Sequence, residues 1–167
     1  MFVDIADTIV EVPGYKKQGS GYGYSGVRGL NALLATASRE DTAPVVLGQR
    51  LRKGAANSAR GAKKFVTESL GTLKRTGVAG KVLVRFDSAY YGHPAVSAAL
   101  AGGADVSVTV RMDRAVKHAI AAIPQEAWVP IRYPNAVSDE GPEAWVAGAA
   151  RAAVRLTGVN SLKRGDG

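Results

Sequence analysis

One acid stands where a short apolar segment of the chain ends. Residues 82–86 are mostly apolar and β-branched, and Gly80 and Gly92 lie on either side of the segment. This pattern predicts a buried strand that ends at Asp87. Ligands bind at the carboxyl ends of strands in open α/β sheets, so Asp87 is a candidate for chemistry. The alternative is a structural role, in which Asp87 caps the following turn or pairs with Arg85.

The N-terminal segment 2–12 carries two further acids. It is apolar and β-branched, which predicts a strand, and it contains Asp4 and Asp7. A buried carboxylate is costly unless it is paired or binds a metal. Asp4 and Asp7 are an odd number of positions apart, so they point to opposite faces of a regular strand. Only one of them can therefore share a groove with Asp87.

The composition limits the class of protein. The chain has 167 residues, 46% hydrophobic and 22% charged, which suits a globular α/β domain with a substantial core. It has no cysteine, which excludes disulfides, thiolate zinc sites and cysteine nucleophiles. No apolar run approaches the roughly 20 residues of a membrane span, and the N-terminus does not resemble a signal peptide. We therefore expect a cytoplasmic protein with no membrane partner.

Positive charge is concentrated in one interval. The net charge is +8, and residues 42–67 contain six cations and no acid. Such a block favours binding to a polyanion, although a solvated face is the alternative. Three of the six fall at the predicted start of a helix, where the helix dipole disfavours cations, and a bound anion would offset that cost. The six cations are Arg50, Arg52, Lys53, Arg60, Lys63 and Lys64.

A segment rich in glycine and tyrosine, residues 15–29, predicts a flexible hairpin. In a nucleic-acid-binding protein, Tyr22 and Tyr24 would stack on bases and Arg28 would contact phosphate. An ordinary exposed loop fits the composition equally well.

Hydrophobic periodicity predicts the order of the elements. Segments 30–38 and 44–51 predict a hairpin, which with segment 2–12 makes three antiparallel strands. A helix then runs from a cap at Asn57 or Ser58 to about residue 75. A second strand-helix-strand passage covers residues 81–111, and a helix capped by Asp113 follows. We therefore expect an α/β fold with the order of a ribonuclease-H-like domain, a mixed sheet with flanking helices.

Four segments, in this order, resemble the catalytic domain of bacterial insertion-sequence transposases of the DDE type. They are residues 3–8 (VDIADT), the glycine-tyrosine segment with residues 28–35 (RGLNALLA), residues 85–91 (RFDSAYY) and residues 106–111 (VSVTVR). The group they resemble most is the one named after insertion sequence 1380. The resemblance spans about residues 2–133.

The resemblance implies a chemistry and a set of residues. In this family three acids bind two divalent cations, Mg²⁺ or Mn²⁺, which activate water or a 3′-hydroxyl and stabilise in-line displacement at a DNA phosphodiester. Carried over by motif, Asp7 is the first acid and Asp87 the second, while Asp4 is a neighbour. The implied partners are transposon ends and target DNA in the bacterial nucleoid, with oligomers possible in the full-length family.

The chain departs from the family pattern at the third acid, which is expected on a downstream helix. Glu126, Asp139, Glu140 and Glu143 lack its context. We therefore expect a partial catalytic domain, residues 1–145, incomplete at both ends, that does not complete transposition alone. A partly disordered tail rich in alanine, arginine and glycine would follow, residues 146–167. The alternatives are a non-catalytic nucleic-acid-binding module and an unstable product without function.

Overall fold

The computed structural model describes residues 1–14, 16–130 and 150–151. The described residues form two compact units, one of residues 1–110 and one of residues 111–130 with 150–151. The predicted tail, residues 146–167, lies outside the described residues except for Ala150–Arg151, so its boundary stays a prediction. Within the described part of the chain, no helix is long and apolar enough to cross a membrane.

Six strands of the first unit form one mixed sheet. The antiparallel part pairs β1 with β3 and β3 with β4, and β2 extends beside the start of β3. The parallel part pairs β1 with β5 and β5 with β6. This arrangement is compatible with the predicted ribonuclease-H-like fold. The strands are β1 (Phe2–Glu11), β2 (Gly21–Tyr22), β3 (Arg28–Arg39), β4 (Thr42–Lys53), β5 (Leu83–Phe86) and β6 (Asp105–Val108).

Two helices cover one face of this sheet. Helix α1 (Ala62–Arg75) contacts β3, β4 and helix α2 (His93–Ala101), and α2 also contacts β6. The buried residues of α1 recur at helical spacing and include Phe65, Val66 and Leu70. They pack in one core with alternate residues of β1 and β3, such as Val3 and Leu33, which are fully buried.

The start of α1 differs from the prediction. The helix begins at Ala62, after Gly61 in a left-handed conformation with φ of 74°, and no side chain caps it. Asn57 accepts a hydrogen bond from the Ala59 amide in the preceding turn, and Ser58 bonds to Asp7. The predicted cap at Asn57 or Ser58 is therefore wrong, because both side chains are engaged in the loop before the helix.

The parallel half has the predicted order with shorter strands. After β5, a 3₁₀ turn (Ser88–Tyr90) leads to α2, and β6 ends at Val108 rather than residue 111. The second unit contains helix α3 (Arg114–Ala121), a 3₁₀ turn (Gln125–Ala127) and an antiparallel pair, β7 (Val129–Pro130) with β8 (Ala150–Arg151).

The predicted cap of α3 is confirmed. Asp113 accepts a hydrogen bond of 2.9 Å from the Val116 amide, three residues into the helix.

Candidate nucleic-acid interface and carboxylate site

The pairing of β1 with β5 makes the strand segments of the two predicted acids neighbours. The strands run parallel, with Val3 beside Val84 and Ile5 beside Phe86. Asp7 lies two residues beyond Ile5, and Asp87 directly follows Phe86. Both acids therefore lie just beyond the paired stretch of these adjacent strands, Asp7 inside β1 and Asp87 directly after β5. This neighbourhood was predicted from the sequence, whereas a shared metal site stays a prediction.

The Asp7 side chain is mostly buried, and one of its two oxygens accepts three hydrogen bonds. Its Oδ2 accepts hydrogen bonds from Asn31 Nδ2, from Ser58 Oγ at 2.9 Å and from Arg52 Nη2 at 3.0 Å. The side chains of Asp7 and Arg52 are only 9% and 12% exposed. The buried charge is therefore paired and hydrogen-bonded, as burial of a carboxylate requires.

Arg52 links the carboxylate to the loop before α1. Its Nε and Nη2 donate to Asn31 Oδ1 at 2.9 and 2.6 Å. Its Nη1 donates to the backbone carbonyls of Ser58 at 3.0 Å and Arg60 at 2.9 Å. Within the chain the guanidinium of Arg52 is thus fully engaged, and the predicted role of Arg52 as a nucleic-acid contact stays a prediction. We call Asp7, Asn31, Arg52 and Ser58 the Asp7 network.

Sequence reasoning missed Asn31 and Ser58. Asn31 pairs with Ile9 across β1 and β3 and with Arg52 across β3 and β4. Side chains of directly paired residues share a face, and Ile9 shares its face with Asp7, so residues 7, 31 and 52 meet on one side of the sheet. The available signal was an asparagine within the apolar run of residues 30–35, because a buried amide needs a polar partner.

The network lowers the pKa of Asp7. Burial alone raises this pKa, but it is outweighed by the hydrogen bonds from Asn31 and Ser58, the approach of the Tyr90 hydroxyl and the charge of Arg52. Burial also raises the pKa of Tyr90, and the negative charges of Asp7 and Asp87 raise it further. The Tyr90 hydroxyl is buried and has no hydrogen-bond partner among the described residues. Both carboxylates thus act electrostatically on one tyrosine.

The lowered pKa of Asp7 predicts an acid-sensitive contribution to stability. The contribution is fully present above the unfolded-state pKa of 3.8 and is lost as the pH falls through the lower folded-state pKa. The gap in unfolding free energy between the native chain and Asp7→Asn should be constant near neutral pH and should narrow below 3.8. Urea unfolding over a pH series measures this gap. A gap that widens on acidification contradicts the assignment.

Asp87 is exposed and caps a turn. Its Oδ1 accepts a hydrogen bond of 2.7 Å from the Ala89 amide at the start of the 3₁₀ turn, which is one of the structural roles considered above. Arg85 does not pair with Asp87. It makes two hydrogen bonds of 2.6 and 2.7 Å to Asp4 and lies over the Phe2 ring, so Asp4 has a partner of its own.

An open cleft of about 550 Å³ lies beside the Asp7 network. Its lining includes Asp7, Asn31 and Ser58 together with Tyr24 and Glu11, whereas Asp87 is not among its described lining residues. The Tyr24 side chain is fully exposed. The cleft is therefore lined both by the Asp7 carboxylate and by the exposed Tyr24 ring.

The predicted glycine-tyrosine hairpin is confirmed by the pairing of β2 with β3. Tyr22 is 67% exposed, and Arg28 donates a hydrogen bond to the Gly14 carbonyl. An exposed tyrosine presents an aromatic face on which a base can stack. The role of Tyr22, Tyr24 and Arg28 in nucleic-acid binding stays a prediction.

The other predicted cations divide by environment. Arg50 contacts Glu68 and lies over the Phe65 ring at 5.3 Å, and Lys64 lies 3.8 Å from Glu68. Lys53, Arg60 and Lys63 are exposed. Helix α1 carries no acid in its first turn, so the positive field at its start is not neutralised there.

The described residues do not fit a pair of divalent cations. They contain no group of three or more histidine, cysteine or acidic side chains that could hold a metal. One oxygen of Asp7 is already bound to a guanidinium. Glu126 is exposed in the second unit, and Asp139, Glu140 and Glu143 lie outside the described residues.

Comparison with known proteins shows a structural similarity to a transposase. No protein-family model and no curated protein sequence matches the chain. The fold is similar to a solved structure described as a cryo-EM structure of a piggyBac transposase synaptic complex with hairpin DNA, with a TM-score of 0.49 and 13% sequence identity. The match covers 74% of this chain and 26% of the other, so this chain spans about a quarter of that transposase's length.

Proposed function

We propose that the chain is the core of a DDE-type insertion-sequence transposase of the 1380 group, with a ribonuclease-H-like fold, that binds DNA. Its partners are transposon ends and target DNA in the bacterial nucleoid. Asp7 and Asp87 are the first two acids of the family's cutting and joining site. The described residues supply two acids of the three, so we expect binding without completed transposition by this chain alone.

One observation carries the DNA-binding proposal. Arg52 bonds at once to Asp7 and to the backbone carbonyls of Ser58 and Arg60. The loop before the cationic start of α1 is therefore attached, through Arg52, to the part of β1 that carries the first acid. A DNA backbone on Arg60 and Lys63 would lie beside that carboxylate, which is the placement a phosphodiester-cutting site needs.

The Asp7 network also favours a second function, a non-catalytic DNA-binding module. A carboxylate whose oxygen is held by a guanidinium no longer presents that oxygen to a reacting group. The two functions differ in strand cutting. A DDE-type core in a Mn²⁺ buffer nicks DNA carrying its transposon end, and Asp87→Asn abolishes nicking. If the chain is a binding module, the native chain and Asp87→Asn both bind this DNA and neither of them nicks it.

DNA binding should depend on the start of α1. We expect Lys63→Gln with Lys64→Gln to weaken binding to a DNA duplex, because the two lysines would no longer neutralise phosphates. The slope of log affinity against log salt should fall by roughly 0.9 for each phosphate that is left without its cation. Fluorescence anisotropy with a labelled duplex at several salt concentrations measures both quantities.

The matched control removes the same charge from the other end of the helix. Lys74 and Arg75 are exposed in the last turn of α1, and Lys74→Gln with Arg75→Gln should leave the slope nearly unchanged. Equal reductions in affinity for the two double variants would show that binding follows net charge rather than a surface at the start of α1.

A further inference from the structure

We propose that Arg52 is a built-in counter-ion that blocks a divalent cation from Asp7, so that a cation reaches this carboxylate only when Arg52 withdraws. The inference rests on the proposed function, because it concerns the first acid of that site. It accounts for the disagreement between the family's two-metal chemistry and the side chains found around Asp7.

The first step is the geometry at the carboxylate. All the hydrogen bonds described for Asp7 converge on Oδ2, from Asn31, Ser58 and Arg52. Three donors leave that oxygen no room for a metal ion, which needs a lone pair of the carboxylate. The Arg52 guanidinium is thus one of the groups bound at Oδ2, and its positive charge there opposes a cation at the other carboxylate oxygen, Oδ1.

The second step is the fixation of Arg52. Its guanidinium donates to four groups besides Asp7, namely the Asn31 side chain and the carbonyls of Asn57, Ser58 and Arg60. A positive group held beside a carboxylate lowers the local affinity for a second cation by charge repulsion. Three of those partners belong to the loop before α1, so a movement of this loop would release Arg52.

The third step is the contrast with Asp87. This second acid is exposed, and its described hydrogen bond comes from a backbone amide rather than a cation. Arg52 therefore opposes cation binding at Asp7 and not at Asp87. Arg60 in this loop and Lys63 in the first turn of α1 are among the proposed DNA contacts, so DNA would bind directly beside the loop that holds Arg52.

The test is Mn²⁺-dependent thermal stability without DNA. The native chain should show no rise in Tm with millimolar Mn²⁺, and Arg52→Gln should show a rise of about 4 °C or more. Arg52→Lys keeps the positive charge and should show no rise. Adding Asp7→Asn to Arg52→Gln should remove the response. If Arg52 serves only in packing, Arg52→Gln and Arg52→Lys should both have a lower Tm than the native chain, and Mn²⁺ should raise the Tm of neither.

Two outcomes overturn the proposal. One is a folded Arg52→Gln variant, judged by circular dichroism, that does not respond to Mn²⁺. The other is Mn²⁺ binding to the native chain, measured by electron paramagnetic resonance and abolished in Asp7→Asn, and this measurement decides the question even if Arg52→Gln does not fold. Neither outcome affects the salt-slope test of DNA binding, so the proposed function stands or fails separately.

Discussion

Replacing Asp7 with asparagine should lower the free energy of unfolding by about 3 to 5 kcal/mol. The substitution leaves the mostly buried Arg52 guanidinium without its counter-charge. An asparagine amide would also face the donors from Asn31 and Ser58 with one acceptor fewer. The effect should be among the largest of any single substitution, because breaking one partner of a buried pair leaves the other charge uncompensated.

Urea unfolding of Asp7→Asn, Arg52→Gln and the double variant measures this coupling. The double variant should lose less stability than the sum of the two single variants, by at least about 1 kcal/mol. Asp4→Asn is the matched control in the same strand. Its ion pair with Arg85 is 37% and 46% exposed, so it should cost no more than about 1 kcal/mol. Equal destabilisation by Asp7→Asn and Asp4→Asn would contradict the buried network.

Gly54→Ala should destabilise the fold by about 3 kcal/mol or more. Gly54 is buried after the end of β4, and its amide donates to the Gly19 carbonyl at 3.0 Å. A Cβ atom there would overlap the backbone carbonyl oxygens of Gly21 and Gly29. Because those atoms are backbone, the segment at Gly54 and strands β2 and β3 would have to move apart to admit it.

Thermal unfolding of Gly54→Ala beside Gly71→Ala tests this clash. Gly71 lies inside α1, and a Cβ atom there meets only the Arg75 side chain at 3.6 Å. Gly71→Ala should therefore stabilise the chain by about 0.5 to 1 kcal/mol through its helix propensity. A Gly54→Ala variant as stable as the native chain would contradict the close approach of the three backbone segments.

The elements that follow from local signals were predicted well. The apolar, β-branched segment 2–12 predicted β1, and hydrophobic periodicity predicted the hairpin of β3 and β4. The predicted start of α1 was wrong because the Ser58 side chain bonds to Asp7, which is 51 residues away in sequence. No local pattern indicates that contact, so the loop's shape depends on the assembled sheet.

The candidate site was predictable at the level of strands and not at the level of side-chain partners. The Asp-Thr motif and the acid ending β5 identified Asp7 and Asp87. The role of Arg52 depends on which residue of β4 lies opposite Asn31, and two register irregularities occur along the pairing of β3 with β4. A one-residue shift moves every side chain to the other face, so the partner of Asp7 could not be chosen from sequence.

The most direct test of the account asks whether bound DNA lies beside the two acids, Asp7 in β1 and Asp87 directly after β5. The chain has no cysteine, so Asp87→Cys provides a single attachment point for an iron chelate that cleaves nearby DNA by hydroxyl radicals. The account predicts localised cleavage of a bound duplex from this position and little cleavage from the same label at Lys74→Cys. Equal cleavage from both positions, or stronger cleavage from the label at Lys74→Cys, would contradict it.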